Sequence, residues 1–228
     1  MKTKKIVCFG NSVGVRIRPN NGQCENYGYL LAEQGEFTVE NYCFSGNMIG
    51  SVSCNTDLII QKAADVIILQ FGVVELSSRS TSRRLYDYLN YTAKRSITGH
   101  FIQSVGLYLE SKLRRVLVYS RFKSSWYRSS RFLSEYERTI KSLELNSSAT
   151  IICIGVNQPS IRIDENLPGT GNRIQSIHSE MQAICEKYKS SHYVSVLDIA
   201  SELIPDGIHY SAEGHREIYK RILNVINN

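Results

Sequence analysis

Short apolar runs, each stopped by glycine or small polar residues and followed by helical periodicity, constrain this chain more than any other feature. Ile6-Val7-Cys8-Phe9 runs into Gly10. Phe37 to Phe44 alternates and stops at Ser45-Gly46-Asn47. Val66-Ile67-Ile68-Leu69-Gln70-Phe71 is the most strand-like stretch and stops at Gly72. Thr150 to Ile154 and Tyr193 to Leu197 complete the set. Apolar runs this short, bounded by turn residues, read as strands rather than helices. Where they are continuous rather than alternating, both faces of the strand are covered, which is the habit of a parallel sheet. Helical spacing fills the gaps: Glu25 to Gln34 with Tyr27, Leu30 and Leu31 inward, Met48 to Lys62, and Ile174 to Lys187 with Ile177, Met181 and Ile184 on one face. Ser211 reads as the N-cap of a last helix with Ile218, Ile222, Leu223 and Ile226 inward. The pattern predicts an α/β chain: a three-layer α/β/α sandwich around a flavodoxin-like, five-stranded parallel sheet.

One connection breaks the rhythm. About 75 residues separate Phe71 from Thr150, far more than one crossover helix needs. Composition matters here. Between Arg79 and Lys141 there are 14 Lys and Arg against 4 Asp and Glu, a balance of +10, while the whole chain carries +6. Seven of the 14 tyrosines, Tyr91 among them, and the single tryptophan, Trp126, lie in the same segment. Ile102, Val105, Leu109, Leu113 and Val116 share one helical face. Ser134-Glu135-Tyr136-Glu137 resembles a capping box that opens another helix. Residues 79–141 are therefore expected to form a basic, helical insertion beside the sheet rim, inside a single domain spanning 1–228. Three readings of it stand: a solvated helical face, a carbohydrate or anionic-glycan surface, or a membrane-surface or nucleic-acid patch. No nucleic-acid motif accompanies it, so nucleic acid is not an expected partner. Peripheral membrane contact through the insertion stays open.

The remaining composition excludes several classes. No apolar run approaches the ~20 residues of a membrane span. Lys2, Lys4 and Lys5 precede only the run Ile6 to Phe9, short of the roughly 7–15 residues of a secretory signal core. A cytoplasmic protein is expected. Cys8, Cys43 and Cys153 sit in apolar runs, and Cys24, Cys54 and Cys185 are scattered, with no C-x-x-C and no Cys/His zinc spacing. Neither a metal nor a cofactor is expected.

Gly10-Asn11-Ser12-Val13-Gly14 matches G-x-S-x-G, the nucleophile elbow of α/β-hydrolases. That family is rejected, because its elbow follows a strand deep in the sheet and here it follows the first. Ser12 nevertheless falls at the C-terminal rim, where open α/β sheets bind ligands. Alone, such a turn also suits a phosphate. Near the other end lies Pro205-Asp206-Gly207-Ile208-His209. Three-residue spacing in a tight turn lets a carboxylate reach a ring nitrogen of the histidine and fix its tautomer. Alone, the pair could cap the last helix. Together, Ser12, His209 and Asp206 can serve as nucleophile, general base and orienting acid. His100, His178, His192 and His215 have no evident ligand partners and read as structural or surface residues.

These blocks resemble the SGNH, or GDSL-type, hydrolases. The family's Gly-Asp-Ser after the first strand is here Gly10-Asn11-Ser12, its glycine after the second strand falls in Ser45-Gly46-Asn47, and its terminal Asp-x-x-His is Asp206 and His209. Its third block, Gly-x-Asn-Asp, is here Gly72-Val73-Val74-Glu75. The resemblance implies a serine esterase or deacylase working through an acyl-enzyme, or an O-acyltransferase to a glycan hydroxyl; a catalytically weak glycan-binding module is the rival. It implies an oxyanion hole built from the N–H groups of Ser12 and Gly46. The family's third donor is the asparagine that Val74 replaces; Asn47 and Asn157 are the candidate substitutes. The run from Gly72 to Arg79 also resembles a branch associated with bacterial surface-polysaccharide loci, which implies an acylated sugar as substrate. Arg79 and Glu75 are then candidate substrate residues, Arg79 holding an anionic group or a sugar hydroxyl, or else lying solvated at the surface.

Overall fold

The computed structural model describes residues 3–19, 25–89 and 96–227. Cys24, Tyr91 and the end of the polar loop expected through Gly22 lie outside the described residues. Five strands form one sheet: β1 (Lys4–Gly10), β2 (Phe37–Cys43), β3 (Val66–Gln70), β4 (Thr150–Ile154) and β5 (Ser191–Val194). All are parallel, in the order β2-β1-β3-β4-β5. Cys8, Ile68 and Ile152 stand in line across the centre, and every residue of β3 is buried. Such strands can exist only with helices on both faces, which is why they read as unbroken apolar runs.

Among the described residues, ten α-helices join and cover the strands: α1 (Tyr27–Glu33), α2 (Ile49–Ser53), α3 (Thr56–Ile60), α4 (Val73–Leu76), α5 (Arg83–Asp87), α6 (Ile97–Ser120), α7 (Ser129–Asn146), α8 (Ile161–Asn166), α9 (Thr170–Glu186) and α10 (Ala212–Asn227). α1 and α10 pack together on one face of the sheet, while α2, α3, α7 and α9 make the layer on the other. Ser211 Oγ accepts from the Gly214 N–H at 3.1 Å and so caps α10.

Three local expectations change. The helix expected over Met48 to Lys62 is two helices that turn at Cys54-Asn55. The turn lets Ile49 and Val52 from one and Ile59 from the other reach the core. β5 starts two residues earlier than expected and ends at Val194; Val196 stays buried beyond the ladder. Ser134 does not open a helix, because α7 already begins at Ser129. Glu135, instead of closing a capping box, accepts from Ser53 Oγ at 2.6 Å and pairs with Arg138.

α7 is the crossover from β3 to β4. It buries Phe132, Tyr136, Ile140 and Leu143 against the sheet layer, and truncating Phe132 to alanine would cost about 3–5 kcal/mol. The basic stretch therefore divides: α5, α6 and the chain to Arg128 lie outside the core layer, while α7 belongs to it. In α6 the face carrying Ile102, Val105, Leu109, Leu113 and Val116 is turned to solvent.

Candidate active site

In this strand order the chain leaves β1 toward one edge for β2 and returns to the other side for β3. A crevice opens at the carboxyl ends of such strands. The candidate side chains come from the loops on that rim and from the short helix α4 that starts there.

β1 ends at Gly10, and a single 3-10 turn, Ser12–Gly14, follows. Buried Asn11 sets that turn: its Oδ1 accepts from the Val13 N–H at 3.0 Å, and its own N–H donates to Gln70 O on β3. An asparagine does this as well as an aspartate would. The last rim loop folds Asp206 and His209 into a tight turn through Gly207, whose φ of +81° suits glycine. Asp206 Oδ1 accepts the N–H groups of Ile208 (2.9 Å) and His209 (2.7 Å). Asp206 Oδ2 faces His209 Nδ1 at 2.8 Å and also accepts from Arg18 Nε at 2.9 Å. His209 Nε2 lies 2.9 Å from Ser12 Oγ.

Partial burial alone would raise the Asp206 carboxyl. The hydrogen bonds from the His209 ring and from the His209 and Ile208 N–H groups outweigh it and hold the carboxyl well below the usual carboxylate range. An ionised Asp206 accepts from Nδ1–H, which leaves the Nε2 lone pair toward the serine hydroxyl. The arrangement can deprotonate Ser12 as it attacks a carbonyl.

The N–H groups of Ser12 and Gly46 have no acceptor among the described residues. Gly46 turns the chain after β2 with φ of +76°, a conformation that L side chains resist. The two asparagines expected near them are engaged elsewhere. Asn47 Nδ2 donates to Gly10 O and its Oδ1 accepts from Met48 N–H and Ser51 Oγ. Asn157 Nδ2 donates to Ile208 O. Both are buried, and neither lines the cleft beside Ser12. They hold rim loops in place rather than offering a third donor.

Glu75 also departs from expectation. It is fully buried and meets no cleft; its carboxylate accepts Ile49 N–H at 2.6 Å and Gly72 N–H at 3.0 Å. It thereby ties the start of α2, just after Gly46, to α4, which carries Val74. Burial pushes its pKa up to about 7 against those hydrogen bonds. Arg79, in contrast, does reach the site. Its Nη2 donates to Val74 O at 2.6 Å and its guanidinium lies 4.1 Å over the Trp126 ring. Arg79 Nε is buried without a hydrogen-bond partner among the described residues, and burial pushes the guanidinium pKa down to about 10.

Ser12, Gly46, Val74, Arg79, Trp126 and His209 line a cleft of about 280 Å³. Arg79, Tyr86, Trp126 and Leu167 also wall a neighbouring cavity of about 520 Å³ beneath α6. There Glu110 and Arg114 form a two-pronged pair, both contacts 2.9 Å. Sequence reasoning missed Trp126, Tyr86 and Leu167 as cleft residues. It also missed Arg18 behind Asp206, although Arg16 and Arg18 so soon after Ser12 were a usable signal. His215, fully buried, bonds Arg16 O through Nε2 and accepts from Tyr27 N–H. Burial lowers its pKa to about 4, so it is a neutral brace behind the loop that follows Ser12. Among the described residues no three His, Cys, Asp or Glu side chains are grouped to hold a metal ion, and no helix is long and apolar enough to cross a membrane.

No family model matches the chain, and no curated protein matches it. Solved structures do. Axe2, an acetylxylan esterase from Geobacillus stearothermophilus, superposes with a TM-score of 0.61 at 12% identity, over 97% of this chain and 93% of that one. A carbohydrate acetylesterase family member from Sinorhizobium meliloti gives 0.63 at 11% identity, over 98% and 97%. A member of the lipolytic protein G-D-S-L family from Veillonella parvula gives 0.59 at 12% identity, over 98% of each chain. The chain has the fold of the SGNH and GDSL-type hydrolases.

Proposed function

We propose that this protein is a serine ester hydrolase that removes acyl groups, acetyl in the first instance, from a sugar or polysaccharide. The observation that carries the reading is the continuous line from Ser12 Oγ through His209 to Asp206, with contacts of 2.9 and 2.8 Å. Ser12 Oγ attacks the ester carbonyl while His209 Nε2 takes its proton. The oxyanion forms against the Ser12 and Gly46 N–H groups. His209 then gives the proton to the departing sugar oxygen, leaving an acyl-enzyme. Water attacks next, His209 takes its proton and returns it to Ser12 Oγ, and the carboxylic acid leaves. Asp206 stays ionised and stabilises the imidazolium. The names of the chains that share the fold, an acetylxylan esterase and a carbohydrate acetylesterase family member, support the substrate class.

Transfer to a glycan hydroxyl is a second reading, favoured by one feature. The 520 Å³ cavity opens beside the cleft and could hold an acceptor alcohol while the acyl-enzyme waits. Buried, free Cys8 and Cys153 suit a reducing compartment, so a cytoplasmic location is part of the proposal. The test is release of acetate from acetylated oligosaccharides by the protein and by its Ser12→Ala variant. Release by the parent alone supports the reading. Acetate release by neither defeats it. Loss of ester from the donor with gain on an added sugar, and little free acetate, selects transfer.

A further inference from the structure

α6 turns its longer apolar stripe outward. Its inner face carries buried Gln103 and Val118, and Leu107 with the Glu110–Arg114 pair walls the cavity. Its outer face carries Phe101, Ile102, Val105, Leu109, Leu113 and Val116, each 40–72% exposed. A surface helix ordinarily shows the reverse, with the apolar stripe toward the protein. Tyr108 is also exposed, Tyr119 faces the depression toward α8, and Phe122, 94% exposed, follows the helix. Ile161 on α8, 82% exposed, shares that depression with Arg115 and Tyr119. Single exposed apolar side chains are ordinary; a stripe running most of a 24-residue helix marks an interaction surface.

The charges around the stripe select its partner. Lys112 and Arg115 are exposed on the helix, and Lys123 follows it. The one acid in α6 is Glu110, which is turned inward onto Arg114 and Ser80. At the α8 edge, Arg115 shares a shallow depression with Asp164 and Glu165, and Asp164 is occupied by the Gly171 N–H. A second copy docked on this face would set the cations of α6 against each other, with no acid on either α6 and only exposed Glu165 at its α8 edge to pair them. Phosphate headgroups would meet the same cations favourably, and aromatic and aliphatic side chains would enter the acyl boundary.

We infer that the outer face of α6 docks the protein onto a bilayer rich in anionic lipid. The helix would lie in the plane of the interface. Its inner face walls the cavity joined to the cleft, so docking would bring that cavity within about one helix diameter, roughly 10–12 Å, of the membrane surface. The inference stands whether or not Ser12 is catalytic.

The test is sedimentation of the full chain with phosphatidylglycerol–phosphatidylcholine vesicles and with pure phosphatidylcholine vesicles, beside light scattering without lipid. The expected result is a monomer that sediments with anionic vesicles at least about tenfold more strongly than with neutral ones. Leu109→Glu/Val116→Glu is expected to abolish sedimentation, and Lys112→Glu/Arg115→Glu to weaken it by roughly tenfold or more. All four positions are exposed, and circular dichroism checks that the variants fold. Absence of vesicle binding, equal binding to both vesicle types, or binding unchanged in the variants overturns the inference. So does a dimer that Leu109→Glu/Val116→Glu dissociates, which would assign the face to a second copy.

Discussion

Arg79 Nη2 donates to the carbonyl oxygen of Val74 at 2.6 Å. Val74 stands where the resembled family carries an oxyanion donor, so a cation is held against the backbone of the residue that lacks one. The same guanidinium is stacked on Trp126 and lines the cleft with Ser12. In the proposed reaction its positive charge would stand in the wall of the cleft where negative charge develops.

Arg79→Ala is therefore expected to lower kcat by about 10–10²-fold while changing KM little, because its effect is on the transition state. Arg79→Lys is expected to recover only part of the loss, since a lysine cannot both stack flat on Trp126 and reach Val74 O. Steady-state kinetics on a p-nitrophenyl ester check both. Unchanged kcat in Arg79→Ala would reduce Arg79 to a structural tie.

Asp206 orients His209 and keeps its charge. Asp206→Asn is expected to cost about 10³–10⁴ in kcat, because the amide neither stabilises imidazolium nor fixes the Nδ1–H tautomer. Arg18→Ala removes a partly exposed ion pair behind Asp206 and is expected to cost no more than about tenfold. The two single variants measured side by side separate orientation from background charge.

The fold was legible where burial is two-sided. β1, β3 and β4 read as unbroken apolar runs because helices cover both faces, and they fall where expected. The end of β5 was not legible, since Val196 is buried without belonging to the ladder, and hydropathy reports burial rather than strand pairing. Helical spacing in α6 revealed a stripe but not its direction; that depends on Glu110 finding Arg114 and Ser80 on the inner side. In the site, the Ser12, Asp206 and His209 blocks were legible because each is a local turn with a local cause. The surroundings of Val74 were not. Arg79 and Trp126 meet there across 47 residues of chain, and Asn47 and Asn157 are drawn away by backbone carbonyls that no sequence pattern reveals.

Glu75 supplies a test of how the site loops are braced. Its folded pKa of about 7 lies above the ordinary 4.5, so the fold favours the protonated form. Its contribution to stability is complete below about pH 4.5 and is lost as pH rises through 7, on the order of 3 kcal/mol in all. Glu75→Gln cannot ionise. Thermal unfolding of parent and variant from pH 5 to 8 is expected to show the variant gaining on the parent as pH rises. A difference that stays constant with pH would contradict the assignment.

The central claim is that His209 activates Ser12 as a nucleophile. The most direct measurement is covalent labelling of the protein by a fluorophosphonate probe, read by mass spectrometry, with Ser12→Ala and His209→Ala alongside. The account predicts one adduct, on Ser12, absent from Ser12→Ala and strongly slowed in His209→Ala. No adduct on the folded parent, or labelling that survives in Ser12→Ala, would contradict it.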